Sequence, residues 1–266
     1  MILKYGFGVL MIGLVACSSS PSEPKPSARR LVEGMWSDPP DTAVGNLCFF
    51  SCTDAAIERL NALLDDPAND ARPFSELRAE ADKYSRDTYL RPRLTDVALK
   101  NYPLDPADDP GLLRCEPWGL ARQMFAPHQM EVRRIGEDRV ELRYGEWDAR
   151  RTVYMNGRTR PEREPPSAMG YSVGRWEGET LVVETSGVSA NIAMRFEHSD
   201  QLRTIERFTR SDDGKTLWLM ATLIDPVSLR EPLVTKKIWR WAPESQITPY
   251  EDCERPNGVT RGVSQP

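Results

Sequence analysis

From residue 130 to residue 241 apolar and polar side chains alternate in short bursts, and this period near 2 constrains the chain more than any other feature. Alternating or β-branched runs occupy 130–135, 139–144, 151–155, 170–176, 180–186, 202–210, 215–224 and 233–241. The breaks between them include GED, GEWDA, EGE and SDDGK, connections of hairpin length, some rich in Gly and Asp. Strands joined mainly by tight turns form a meander, which keeps two unpaired edges unless it closes. The expected fold is mainly β: an antiparallel, eight-stranded, up-and-down barrel or strongly curled sheet, lipocalin-like in outline. A barrel of that size either fills with side chains or encloses one small ligand.

Ahead of the strands the period is near 3.6. Residues 51–66 read as a helix: Ser51 with Asp54 resembles a capping box, Ile57, Leu60, Leu63 and Leu64 make one face, and Pro67 ends it. Residues 74–84 put Phe74, Leu77, Ala81 and Tyr84 on one side of a second helix, and a short third turn follows Thr95. The loop PLDPADDPG closes this helical front. The chain contains no repeat of fixed period, no Walker or dinucleotide-binding glycine pattern and no Gly-x-Ser-x-Gly elbow.

The first residues, MILKYGFGVLMIGLVACSSS, carry one lysine and an apolar run too short to span a bilayer comfortably, the layout of a signal peptide. The tetrad Leu14-Val15-Ala16-Cys17 resembles the lipobox of bacterial lipoproteins, which makes Cys17 the lipidated, acylated first residue of the mature chain. An ordinary secretory signal cut elsewhere is the alternative, and both exclude the cytoplasm. Ser18 resembles the outer-membrane sorting pattern, so the expected location is the outer membrane, facing the periplasm. The resulting division is 1–16 signal peptide, 17–30 lipidated tether, 31–111 helical region, 112–254 β domain and 255–266 tail. A net charge of -5 leaves no electrostatic footprint for nucleic acid and no polybasic membrane patch, so the Cys17 lipid is the expected membrane attachment.

Four further cysteines, Cys48, Cys52, Cys115 and Cys253, form an even set in an oxidising compartment. They allow three connectivities. Proximity in sequence favours Cys48–Cys52, which leaves Cys115–Cys253, a bridge whose long loop is worth about 4 to 5 kcal/mol by the chain-entropy estimate. A metal site at CFFSC needs two more soft ligands, and the histidines, His128 and His198, have no matching spacing, so no metal or cofactor is expected.

Four blocks are more specific: DDPGLLRCEPWGLARQM, MGYSVGRWEGETLVVETSG, HSDQLRTIERFTR and YEDCE. In that order and spacing they resemble an uncharacterised family of exported bacterial proteins, with a cysteine block, a Gly-Arg-Trp-Glu-Gly hairpin, a His-Ser segment before a Glu-Arg-Phe strand and a late cysteine before acidic residues. The resemblance covers residues 95–254 and brings no activity with it. Where the family pattern has a histidine after Met-Gly, this chain has Tyr171, so any role of a histidine there is lost or altered.

Arg175 and Trp176 sit in the hairpin, where Trp176 can cap one end of a barrel while Arg175 stacks on its ring, pairs with a carboxylate or reaches inward as an anion or carbonyl anchor. His198 and Asp200 share a face of an extended chain, near a strand carrying Glu206, whereas Ser199 points away, so the pattern is not a serine-hydrolase triad but fits a His–carboxylate acid–base pair. The competing reading makes His198 or Asp200 a loop cap. Trp239 and Trp241 share a parity and give the last strand an aromatic face, which lines a cavity or packs on the helical front. These features lead to a small-molecule-binding module, with Arg175, Tyr171, Trp176, Trp239 and Trp241 as ligand contacts for an apolar or aromatic molecule. The alternatives are a cofactor-independent isomerase, dehydratase or lyase using His198 with Asp200 or Glu206, and a structural envelope lipoprotein.

Overall fold

A computed structural model describes residues 32–37, 53–104, 116–248 except 127, 156 and 194, and the short segments 252–254 and 260–262. Cys17, Cys48, Cys52, Cys115 and Ser51 lie outside these residues, and with them the lipidation site, both disulfide expectations and the expected capping box. Cys253 lies on a described strand, but its side chain is not among those described.

The alternating segments fold into strands close to their expected limits. In chain order they are β1 (Gly34–Ser37), β2 (Met130–Ile135), β3 (Arg139–Tyr144), β4 (Arg150–Tyr154), β5 (Tyr171–Glu177), β6 (Thr180–Ser186), β7 (Asn191–Ile192), β8 (Glu197–His198), β9 (Arg203–Arg210), β10 (Thr216–Ile224) and β11 (Leu233–Trp241), with a separate pair β12 (Asp252–Glu254) and β13 (Thr260–Gly262). Nine of them close a barrel in the order β1-β11-β10-β9-β6-β5-β4-β3-β2, while β7 and β8 pair in the connection between β6 and β9.

Two features correct the eight-stranded, wholly antiparallel, up-and-down expectation. The ninth strand, β1, comes from the helical region and fits between β2 and β11, with Trp36 opposite both Met130 and Trp241. Its four residues, GMWS, are too few to display a period. Gly34 makes the fit possible: its φ is +126°, and a Cβ there would lie 2.3 Å from the Trp241 ring. Second, β4 and β5 run parallel, through the pairs Val153–Ser172 and Tyr154–Val173 only. The long connection 155–170 carries the chain back to the end where β4 began, which a hairpin cannot do.

Helix α1 (Asp54–Leu64) starts at Thr53, whose hydroxyl accepts from the Ala56 amide at 3.2 Å. It packs on α2 (Phe74–Ser85) through Ala56, Leu60, Leu63, Leu77 and Ala81, and the Thr53 and Ser85 hydroxyls meet at 2.5 Å. A π-helical turn, Arg86–Leu90, continues α2 toward the barrel. The Tyr89 hydroxyl donates to Val234 O of β11 at 3.0 Å, Thr95 caps the turn Asp96–Leu99 as expected, and Arg230 donates to Leu94 O at 2.8 Å. Leu90, Leu94 and Ala98, with Leu120, Met124 and Phe125 of a second short helical segment, join the main core. Leu94 bridges Leu229 in the β10–β11 connection, and the Leu120 amide donates to Ala168 O just before β5, so both segments cover the same end of the barrel.

The register defines the interior. One row runs Thr235, Ala221, Glu206, Val183, Gly174, and the next Lys237, Leu219, Phe208, Leu181, Trp176. Trp36 and Trp239 are among the largest fully buried side chains, each worth about 4 to 6 kcal/mol of apolar burial at 25 cal/mol per Å².

Candidate functional site

Inside a barrel built mostly of Leu, Val and Phe lies a polar cluster. Strand β4 places Arg151 inward on the parity of Ala149 and Val153, and β9 places Thr204 and Glu206 inward on the parity of Phe208. Arg151 meets Glu206 through two parallel bonds, Nη1 to Oε1 at 2.8 Å and Nη2 to Oε2 at 2.6 Å, at 1% and 0% side-chain exposure. Arg151 Nη2 also bonds the Tyr144 hydroxyl at 3.0 Å and Nη1 reaches Thr185 Oγ1 at 3.4 Å. Thr204 donates to Glu206 Oε1 at 2.9 Å, and the Ser172 and Thr185 hydroxyls meet at 2.8 Å.

Burial alone pushes the Arg151 guanidinium down, but the adjoining Glu206 carboxylate outweighs it and the net shift is upward. Burial also pushes the Tyr144 phenol up, partly opposed by Arg151, so Tyr144 stays a neutral hydroxyl. Arg151 and Glu206 therefore form a fully buried, doubly bonded ion pair. Arg151 Nε remains buried without a hydrogen-bond partner. On β11, Thr235 Oγ1 and Trp239 Nε1 are likewise buried without one, and Lys237 between them lies 5.5 Å from the Trp239 ring. Ala221 separates Thr235 from Glu206 in the ladder.

The fold scatters the expected acid–base group. His198, at 2% exposure, points its Nδ1 at Ser199 O, 2.9 Å away, and its buried Nε2 has no partner; burial pushes its pKa down. Asp200 is exposed on the following turn, and no described hydrogen bond links it to His198. The carboxylate that organises this loop is Asp225: it accepts from Ser199 N at 2.6 Å and from Ser199 Oγ at 2.7 Å, and also from Val227 N. Burial would raise Asp225, yet these bonds hold it below the usual carboxylate range. Glu206, the third member of the expected group, is held by Arg151.

The expected ligand contacts divide between inside and outside. Arg175 faces solvent, bonded to Glu177 at 2.9 Å and Glu184 at 2.5 Å, so it does not reach inward. Trp176 packs half-buried on the core, and Trp239 is inside. Trp241 meets Trp36 edge-to-face at 5.1 Å, and Arg210 lies 4.6 Å above the Trp241 ring and 5.1 Å above Trp36. Trp218 of β10 faces outward at 45% exposure. Tyr171 stacks on Tyr154 at 4.9 Å across the parallel joint and lines two clefts, one of about 330 Å³ with Arg150, Arg151 and Met169 and one of about 250 Å³ with Arg158, Arg160 and Arg203. Among the described residues no group of three or more His, Cys, Asp and Glu side chains is placed to hold a metal.

Sequence reasoning missed Arg151, Thr235 and the role of β1. The parity of Arg151 with Val153 was a usable signal for its inward direction; nothing in the sequence paired it with Glu206.

No family model matches this chain, and no curated protein matches it. Among solved structures, the crystal structure of a mutant of the fluorescent protein UnaG aligns over 44% of this chain and 72% of that chain, at 18% identity and a TM-score of 0.27. The barrel is defined by its own strand pairing.

Proposed function

We propose that this chain is an exported, Cys17-lipidated envelope protein that binds one small molecule inside its barrel, largely apolar or aromatic and carrying a hydrogen-bond acceptor. The observation behind the reading is the set of inward, buried donors without partners: Arg151 Nε, Thr235 Oγ1 and Trp239 Nε1. A buried donor left unmade costs about 1 to 3 kcal/mol, so an acceptor delivered to any one of these groups recovers that much. Val183 stands beside Glu206 in the ladder and Leu219, Phe208 and Leu181 form the next inward row, which favours an apolar body.

Native mass spectrometry of the full protein extracted from its own membranes, followed by organic extraction, tests the reading. The expected result is one stoichiometric small molecule beside the diacylglycerol and acyl modification. Its affinity should fall about tenfold in Thr235→Val and Trp239→Phe, each of which removes one donor. A polypeptide carrying only its own lipid sinks the binding reading in favour of a structural lipoprotein. Retention in the membrane fraction by Cys17→Ser would sink the anchor.

A further inference from the structure

A second site lies outside the barrel. Along β5, β6 and β9 the outward parity holds Tyr171, Glu184, Ser186 and Arg203, and residues 158–160 flank them to form an open cleft of about 250 Å³. Three arginines line it, Arg158, Arg160 and Arg203, against one acidic residue, Glu184. That carboxylate is already neutralised by Arg175 at 2.5 Å. Arg203 makes no ion pair among the described residues, and Arg158 reaches Asp138 only at 4.0 Å. Arg160 lies across Gly187, where a Cβ would stand 2.4 Å from its Nε; that Nε is buried and has no partner, while Nη2 donates to Glu164 O. Tyr171 and Ser186 add hydroxyls to the lining.

We propose that this cleft binds a tetrahedral oxyanion, the phosphate group of a soluble phosphomonoester or of a lipid headgroup. Planar guanidinium forks match phosphate oxygens in pairs, and three of them surpass the neutralised carboxylate in charge. The site is distinct from the barrel interior, and its ligand is recognised by charge rather than by apolar burial.

Calorimetric titration of the full-length lipoprotein in a nonionic detergent tests it, with inorganic phosphate, glycerol phosphate and short-chain phosphatidic acid as probes. Binding is expected at low ionic strength and should weaken as salt is added. Arg203→Gln, at an exposed position, should weaken phosphate about tenfold without changing the thermal midpoint. Glu184→Gln should tighten it several-fold, a gain that a damaged fold cannot imitate. Arg133→Gln, elsewhere on the surface, should leave it unchanged. Tighter binding of phosphatidic acid than of glycerol phosphate assigns the site to a lipid headgroup, and equal binding assigns it to a soluble phosphomonoester; both support an oxyanion site. No heat with any of the three probes, or one affinity for the wild type, Arg203→Gln and Glu184→Gln, overturns the proposal.

Discussion

At the scale of single residues, the Arg151–Glu206 pair has the largest consequences. Desolvating two charges is expensive, and the pair is tolerable only because both guanidinium ends, both carboxylate oxygens and three hydroxyls are matched. Arg151→Met alone strands a carboxylate and Glu206→Leu alone strands a guanidinium, so each should lose about 3 to 5 kcal/mol in chemical denaturation. The double variant should lose much less than the sum, and an additive result would mean that the two side chains do not interact. Acid acts on two other groups. His198 is depressed below its ordinary 6.5, so it stays neutral in the native protein while the unfolded chain takes up a proton; stability is intact above that value and declines as pH falls below it. Asp225 is depressed too, so its contribution is present above 3.8 and is lost at lower pH, as the native carboxylate takes up its proton. A stability profile should therefore fall in two acid steps, and His198→Gln should erase the upper one.

At the scale of elements, β1 closes the barrel with four residues. Gly34→Val introduces both a disallowed φ and a clash with Trp241, together about 3 kcal/mol or more. Hydrogen exchange should then quicken first in the amides of β2 and of the end of β11 that β1 covers, before the β9–β10 ladder responds. The eight longer strands were legible because each buries one face, and burial on one face writes a period of 2 into the residues themselves. The ninth was not, since GMWS is too short to show a period and gains its stability from Trp241 and Met130, both far along the chain. The parallel joint was hidden for a similar reason. Alternation states which face a residue takes and is silent on the direction in which neighbouring strands run.

At the scale of the whole molecule, the described residues form a large barrel core, a smaller helical one and a minor cluster of Trp118, Ala126 and Trp147. The α1–α2 pair rests on five small or medium apolar residues, whereas the barrel core holds several tryptophans and phenylalanines. The helical pair should open sub-globally, with amides of α1 exchanging well before those of β9, β10 and β11; equal protection would mean that the two parts unfold as one unit. Residues 86–99, which follow α2, are tied to the barrel both by hydrogen bonds, Tyr89 to Val234 and Arg230 to Leu94, and by Leu90, Leu94 and Ala98 in its core, whereas α1 touches it through the surface ion pair of Asp54 with Lys236. What the sequence by itself determined was local: the helices, the strand limits, the shared parity of Trp239 and Trp241, and the exclusion of a Ser199 triad. Tertiary structure alone decided the closure by β1, the outward turn of Arg175, the separation of buried His198 from exposed Asp200 and the pairing of Arg151 with Glu206. The physical reason is the range of the interactions. Periodicity and caps arise between residues a few positions apart, whereas a buried charge finds its partner through strand order and register, which depend on contacts spanning the whole chain.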